Sequence, residues 1–208
     1  MAGQIIILNG APPSGKSSIV AAIQDSFGAP WMNLGIDNYA RMTPPRYRPG
    51  MGLRPGGERP DLEIFIPSFY AALYESIAAH SRLGLNVVAD VGHHDSYTRP
   101  LGCLADCARR VAGLPVLFVG VRCPIEVILQ RRAESAAEKG YVIGTDDDPA
   151  PLPVRLWQEA VHKPGLYDLE VDTSVSSPMQ CADAIRRQLE QGVTRPSAFE
   201  QLRLTAAD

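Results

Sequence analysis

Residues 10–17 read Gly-Ala-Pro-Pro-Ser-Gly-Lys-Ser, and this match to the pattern G-x-x-x-x-G-K-[ST] constrains the fold more than any other stretch of the chain. An apolar run at residues 5–8 precedes the motif, and Ile19, Ile23 and Phe27 follow it at intervals of four. The order predicts a buried strand, a glycine-rich loop and an amphipathic helix. Such a loop turns its backbone N–H groups toward phosphate, and the positive end of the helix adds to the attraction.

The motif also assigns roles to individual side chains. Lys16 is expected to reach the β- and γ-phosphates of a nucleoside triphosphate, and the Ser17 hydroxyl is expected to coordinate Mg²⁺. A chance match in a chain of this length should occur less than about one time in a hundred. No Asn-Lys-x-Asp motif for guanine occurs, so we predict ATP as the nucleotide. The predicted phosphate-binding residues are Gly10, Ala11, Pro12, Pro13, Ser14, Gly15, Lys16, Ser17 and Ser18.

Strand and helix patterns alternate through the rest of the chain. Further strands are predicted at 31–36, 86–91, 115–121 and 169–173, separated by segments with helical spacing of apolar residues. This alternation predicts one α/β domain with a parallel sheet covered on both faces. Residues 41–61 carry several proline and glycine residues and five arginines, which predicts a long loop or a short hairpin. Beyond Gly192 we expect a polar, loosely held tail.

Composition excludes several other classes of protein. The net charge of −3 argues against a nucleic-acid partner, since such proteins usually present a basic face. No apolar run approaches the roughly 20 residues of a membrane span. No secretory signal is visible, and the four cysteines follow no disulfide spacing, so we expect a cytoplasmic protein. No heptad or apolar stripe predicts an oligomer, and the oligomeric state stays open.

Two aspartates follow predicted strands, where ligands of parallel sheets gather. Asp37 is either a group that orients an acceptor hydroxyl and takes its proton late, or the N-cap of a helix at 38–42. Asp90 either holds Mg²⁺ through water or simply begins a loop. Motor ATPases usually place Asp-Glu at the end of a buried strand, whereas Val91 follows Asp90 here. This favours phosphate transfer to a substrate over hydrolysis coupled to motion.

Other polar side chains are weaker candidates. Arg131 and Arg132 lie in the helix after the strand at 115–121, where one of them could close over the triphosphate. His93 and His94 either line an acceptor pocket or are ordinary loop histidines. Their spacing from the nearby cysteines is not a recognised zinc pattern.

Several of these stretches together resemble the chloramphenicol 3-O-phosphotransferase family of small P-loop kinases. The resemblance spans about residues 4 to 190 and is carried by residues 6–10, 14–17, 30–31, 35–37, 90–91, 119–123, Arg131 and 167–173. It implies a three-layer P-loop NTPase fold with a five-stranded parallel sheet flanked by helices. It also implies ATP-dependent transfer of phosphate to a hydroxyl of a small molecule.

The resemblance assigns further roles and regions. It implies Asp37 as the proton-accepting group, Arg131 rather than Arg132 as the lid arginine, and Thr173 beside the nucleotide. The expected organisation is a kinase domain at 1–192, with an acceptor-side loop at 41–66 and a lid at 131–153, and a tail at 193–208. The loop at 41–66 and the polar stretch 92–95 depart from the chloramphenicol enzyme, which suits a more polar or acidic acceptor. A sugar or nucleoside kinase and a non-catalytic nucleotide-binding regulator are the alternatives.

Overall fold

Five strands form one parallel sheet in the order β2-β3-β1-β4-β5. The structure is a computed structural model and describes residues 1–56, 59–139, 144–145 and 147–205. The strands are β1 (Ile5–Asn9), β2 (Trp31–Asn33), β3 (Asn86–Val91), β4 (Val116–Arg122) and β5 (Leu169–Asp172). The predicted α/β fold with a five-stranded parallel sheet is therefore confirmed.

Helices connect the strands in the described part of the chain. They are α1 (Lys16–Ser26), α2 (Ile36–Met42), α3 (Pro60–Glu63), α4 (Ile66–Arg82), α5 (Cys103–Arg110), α6 (Ile125–Lys139), α7 (Leu152–Ala160), α8 (Pro178–Gln191) and α9 (Ala198–Thr205). None of these helices is long and apolar enough to cross a membrane.

The sheet separates two apolar layers because successive side chains of a strand point to opposite faces. In β1, Ile5 and Ile7 face the layer formed with α4, α5 and α9, while Ile6 and Leu8 face the layer formed with α1 and α8. All four side chains are fully buried. Burial on both faces explains why β1 is a continuous apolar run and not an alternating one.

The strand order determines what lies on either side of the phosphate loop. The loop follows the central strand β1, which pairs with β3 on one side and β4 on the other. Segments that leave β2 and β3 therefore reach one side of the loop, and segments that leave β4 and β5 reach the opposite side. Ligands of open α/β sheets bind at such a switch point, beyond the carboxyl ends of the strands.

The segment after β2 differs from its prediction. The strand ends at Asn33, and α2 begins at Ile36, which was assigned to the strand. The described part of 41–61, predicted as a long loop or a short hairpin, contains no hairpin; it is a loop with two 3-10 turns, Pro45–Tyr47 and Gly50–Gly52, that leads into α3. Proline is compatible with the first turn and with α3 because it stands at the first position of each, where its missing N–H has no helical partner, and Pro49 directly precedes the second turn.

The end of the chain also differs from its prediction. The segment expected to be a loosely held tail contains α9, whose Ala198, Phe199 and Leu202 are buried in the layer under α5. Phe199 packs edge-on against Phe118 of β4 with ring centroids 4.9 Å apart. The spacing of the three apolar residues is helical, but the polar residues around them hide the pattern from a composition-based prediction.

Candidate active site

The phosphate loop is curled around the Lys16 side chain. Its ammonium Nζ donates to the carbonyl oxygens of Gly10 at 2.6 Å and Ala11 at 3.3 Å. Gly15 begins α1 with a φ of 89°, a left-handed conformation that glycine adopts without strain. A Cβ on Gly10 would lie 2.5 Å from the carbonyl oxygen of Val121, so only glycine fits there. The first N–H groups of α1 have no acceptor within the helix and point beyond its end.

Burial lowers the pKa of Lys16 from its ordinary value to about 8, and the nearby carboxylates of Asp90 and Asp37 act in the opposite direction. The lysine is therefore a desolvated cation held between backbone carbonyls and two acidic groups. A triphosphate bound at the loop would add negative charge and favour the protonated form.

Ser17 and Asp90, the two predicted magnesium ligands, lie together. The Ser17 hydroxyl donates to Asp90 Oδ2 at 2.9 Å. Gly35 approaches from the start of α2, and a Cβ on it would be 1.8 Å from Asp90 Oδ1. A hydroxyl and a carboxylate are hard oxygen donors, and Mg²⁺ is usually bound through one or two carboxylates and several waters. The pair therefore fits this ion.

Asp37 is the second residue of α2, exposed at the mouth of the cleft. The N-cap of α2 is Gly35, so the alternative that Asp37 caps a helix is wrong. Its carboxylate makes no hydrogen bond to any residue within the described ranges. It is close enough to Lys16 to affect the pKa of that ammonium group. An exposed carboxylate without a partner, beside the phosphate-binding lysine, is available to a ligand.

The opposite side of the loop carries Arg131 and Thr173. Arg131 Nη1 donates to Thr173 Oγ1 at 3.0 Å, and its Nη2 donates to the Thr173 carbonyl at 2.7 Å. The Thr173 hydroxyl in turn donates to the Ser14 carbonyl at 2.7 Å. Arg132 is buried, and its Nη1 donates to the Pro12 carbonyl at 3.4 Å. Arg132 therefore contacts the phosphate loop directly, and Arg131 contacts it through Thr173.

These groups share one cleft of about 1090 Å³. This exceeds the upper end of typical small-molecule pockets and leaves room for a nucleotide and a second ligand. The larger of the predicted side chains all line it: Lys16, Ser17, Asp37, Asp90, Arg131, Arg132 and Thr173. Part of the expected lid at 131–153 lies outside the described residues, at 140–143 and 146.

His93 and His94 do not line the cleft, so their assignment to an acceptor pocket is wrong. His93 is buried against Tyr70, with ring centroids 4.3 Å apart, and its Nε2 is hydrogen-bonded to the Tyr74 hydroxyl at 2.9 Å. His94 Nε2 lies 2.8 Å from the Leu53 carbonyl. Burial lowers the pKa of His93 to about 3, with a smaller contribution from His94, so its ring is neutral near pH 7.

Asn9, the residue before the phosphate loop, is a supporting group that the sequence patterns missed. Its Nδ2 donates to the Val161 carbonyl at 2.7 Å and to the Tyr167 hydroxyl at 2.9 Å. Its Oδ1 accepts from the backbone N–H of His93 at 2.8 Å. One buried amide thus joins the loop after β3 to the chain after α7. A polar residue in an otherwise apolar strand was the signal available in the sequence.

Trp157 of α7 is a second residue of the site to which the sequence analysis assigns no role. It lines the cleft, and its indole ring lies beside Gly92, where a Cβ would be 3.4 Å from Nε1. No described residue accepts a hydrogen bond from the buried Nε1–H.

Comparison of the sequence with those of known proteins identifies relatives of this chain. The sequence profile of the chloramphenicol phosphotransferase-like proteins matches residues 3–190. A Mycobacterium tuberculosis protein named "Putative O-phosphotransferase Rv2636" is 30% identical over 215 residues, a match that covers 97% of this chain and 88% of that protein.

Solved kinase structures share the fold at lower identity. A sugar kinase from a Janibacter species superposes with a TM-score of 0.59 at 16% identity, covering 90% of this chain and 95% of its own. A shikimate kinase from Acinetobacter baumannii, solved in complex with shikimate, superposes with a TM-score of 0.57 at 12% identity, covering 91% and 94%.

Proposed function

The chain belongs to the chloramphenicol phosphotransferase-like family, and on that basis we propose that it transfers the γ-phosphate of ATP to a hydroxyl group of a small molecule. One observation carries the proposal. The carboxylate of Asp37, which has no hydrogen-bond partner among the described residues, lies on the β2–β3 side of the cleft, within electrostatic reach of the phosphate-loop lysine. A protein that only binds a nucleotide needs the lysine but has no use for such a carboxylate.

The nucleotide half of the site holds the triphosphate. Lys16 and the backbone N–H groups at the start of α1 bind the β- and γ-phosphate oxygens. Ser17 and Asp90 are the residues that would hold Mg²⁺, the hydroxyl directly and the carboxylate through water, and the ion would supply positive charge to offset that of the phosphates. Arg131 stabilises the negative charge that spreads over the transferred group in the transition state.

The acceptor half orients the nucleophile. Asp37 accepts a hydrogen bond from the acceptor hydroxyl and aligns its oxygen with the γ-phosphorus. As the new O–P bond forms, the bond from phosphorus to the β,γ-bridging oxygen breaks, and the hydroxyl proton passes to the Asp37 carboxylate. Because the transition state is loose, the proton moves late, and positioning matters more than basicity.

A single substitution tests whether Asp37 acts on the acceptor and not on the nucleotide. We expect Asp37→Asn to lower kcat by at least about 10²-fold, since the amide cannot take the proton, while the Kd for ATP stays within about twofold. The matched control is Asp25→Asn, which changes an exposed aspartate outside the cleft. Phosphate transfer by Asp37→Asn within a few-fold of the unaltered protein would refute the role of Asp37.

The acceptor for this assay comes from an ATP-consumption screen. The panel contains hydroxylated antibiotics, including chloramphenicol, together with sugars, nucleosides and hydroxy acids.

A second substitution, Lys16→Ala, tests the phosphate loop, because it should weaken ATP binding and turnover together. Unchanged ATP binding by Lys16→Ala would contradict the assignment of the phosphate loop itself.

A further inference from the structure

The acceptor side of the cleft is rich in arginine. Arg41, Arg48 and Arg54 all line it, and all come from the segment that follows β2. Neither Arg41 nor Arg48 forms an ion pair with any carboxylate of the described residues. Arginines elsewhere in the described chain do pair with carboxylates, among them Arg59, Arg109, Arg110, Arg122, Arg155, Arg186 and Arg195.

Arg48 is held in place by main-chain groups alone. Its Nε donates to the Thr43 carbonyl at 2.8 Å, and its Nη2 donates to the Arg41 carbonyl at 3.1 Å. Both acceptors lie at the C-terminal end of α2. These bonds orient the guanidinium but leave its charge without a counter-ion among the described residues. An oriented guanidinium loses less conformational entropy when it binds an anion.

Arg41 lies one helical turn after Asp37. Residues four apart share a face of an α-helix, with Cβ atoms roughly 6 Å apart. Even so, Arg41 donates to the amide oxygen of Asn38 at 3.2 Å and makes no ion pair with Asp37. The same helix face thus presents a carboxylate toward the phosphate loop and a guanidinium farther from it.

Arg41 and Arg48 lie across the cleft from the residues that support the phosphate loop. The phosphate loop follows the central strand β1, and Arg131 and Thr173 contact it from the β4–β5 side. Arg41 and Arg48 lie on the opposite side, beyond the edge strand β2. A cationic group there faces whatever molecule is presented to Asp37.

We propose that the acceptor carries an anionic group, a carboxylate, phosphate or sulfate, which Arg41 and Arg48 bind while its hydroxyl is held at Asp37. This inference rests on the proposed function. Guanidinium groups match the oxygens of all three anions through paired N–H donors. The arginines also offset the repulsion that Asp37 and Asp90 exert on an incoming anion. Binding at two points, one for the anion and one for the hydroxyl, orients the acceptor for in-line transfer.

The test measures anion binding without requiring turnover. The protein is saturated with Mg²⁺ and a non-hydrolysable ATP analogue, so that the phosphate loop is occupied. Potassium sulfate and potassium malonate are then titrated separately at constant ionic strength, with binding followed by calorimetry and by the intrinsic tryptophan fluorescence of the protein. We expect saturable binding of at least one anion, weakened at least about tenfold by Arg41→Gln.

Arg46→Gln is the matched control, because Arg46 is an exposed arginine of the same segment that lies outside the cleft and over the Tyr47 ring. Binding that is absent in the saturated protein, or that is weakened equally by both substitutions, overturns the proposal. Preference for sulfate or for malonate distinguishes a phosphate-like group from a carboxylate.

A turnover arm separates this inference from the proposed function. Acceptors are compared in pairs that differ by one anionic group, such as gluconate with glucitol and glycerate with glycerol. We expect the anionic member to have the higher kcat/KM, and Arg41→Gln to remove most of that difference. Transfer that favours the neutral members refutes the anionic acceptor and leaves the kinase standing. Anion binding with no loss of transfer in Asp37→Asn refutes the role of Asp37 instead.

Discussion

Substitution of Gly35 tests the proposed magnesium site through packing, without removing either of the two oxygen donors. Gly35 has a φ of −67° and a ψ of 165°, which any residue can adopt, so the backbone does not require glycine there. The requirement comes from Asp90, since a Cβ on residue 35 would lie 1.8 Å from Asp90 Oδ1 and 3.0 Å from its Cγ. Ordinary contact begins at 3.4 Å, so Gly35→Ala must displace the carboxylate or the start of α2.

The size of the effect follows from this displacement. A shift of about 1.5 Å breaks the 2.9 Å hydrogen bond from Ser17 to Asp90 and moves Asp37 relative to the phosphate loop. A misplacement of about 1 Å can lower a rate by about 10²-fold, and we expect a loss of at least that size in kcat/KM. Overpacking should cost about 1–3 kcal/mol of stability, partly offset by the lower entropy of an alanine-containing unfolded chain.

Two measurements report this effect. ATP binding is measured by calorimetry with Mg²⁺ and with EDTA, and turnover is measured with the acceptor found in the screen. The control is Gly28→Ala, because a Cβ on Gly28 meets no atom within 4 Å. We expect Gly35→Ala to lose the strengthening of ATP binding by Mg²⁺ and the control to keep it. If both variants retain this strengthening and full turnover, Gly35 does not support the metal site.

Three further predictions follow from the structure. Because the pKa of His93 is lowered to about 3 in the folded protein, the unfolded chain binds a proton first as the pH falls, and stability decreases below about pH 6.5. In urea unfolding, this residue should account for about 2 kcal/mol lost between pH 7 and pH 5, and His93→Phe should remove that loss. In the same assay, Phe199→Ala should lower the free energy of unfolding by about 3–5 kcal/mol without changing the Kd for ATP, because Phe199 is buried. The control Leu204→Ala, on the exposed face of α9, should change the free energy of unfolding by less than about 0.5 kcal/mol. Arg131→Ala should lower kcat by about 10²-fold in the acceptor assay, whereas Arg187→Ala, at an exposed position of α8, should leave kcat unchanged.

The fold could be predicted from local patterns because the phosphate-binding motif and the apolar runs of the strands both indicate a parallel α/β sheet. Residues 86–91 form a strand with the predicted bounds, and Ser177, a residue type favoured at helix starts, is the N-cap of α8. Both signals are local: an apolar run buried on both faces, and a side chain that accepts from the N–H three residues later.

The errors arose where distant residues decide the environment. The His93-His94 pair appears in the sequence as a polar loop, but Tyr70 and Tyr74 of α4 enclose the first ring, and the Leu53 carbonyl holds the second. Their burial depends on the packing of α4 against β3, which no local pattern contains. The site roles proposed for Asp37, Asp90 and Arg131 agree with their positions in the cleft and stay predictions about chemistry.

The strand order also has a consequence for how acceptor preference can change. Most of the residues that line the acceptor side of the cleft come from one continuous stretch, residues 36–54, which follows the edge strand β2. Met51 and Leu53 of this stretch are buried in the core. The nucleotide wall comes from separate segments after β1, β4 and β5. This stretch can therefore be exchanged as a single segment, provided that Asp37 and the two apolar anchors are kept, while the phosphate loop and the segments after β4 and β5 stay unchanged. Relatives that share one phosphoryl donor can in this way acquire different acceptors by a change at a single place in the gene.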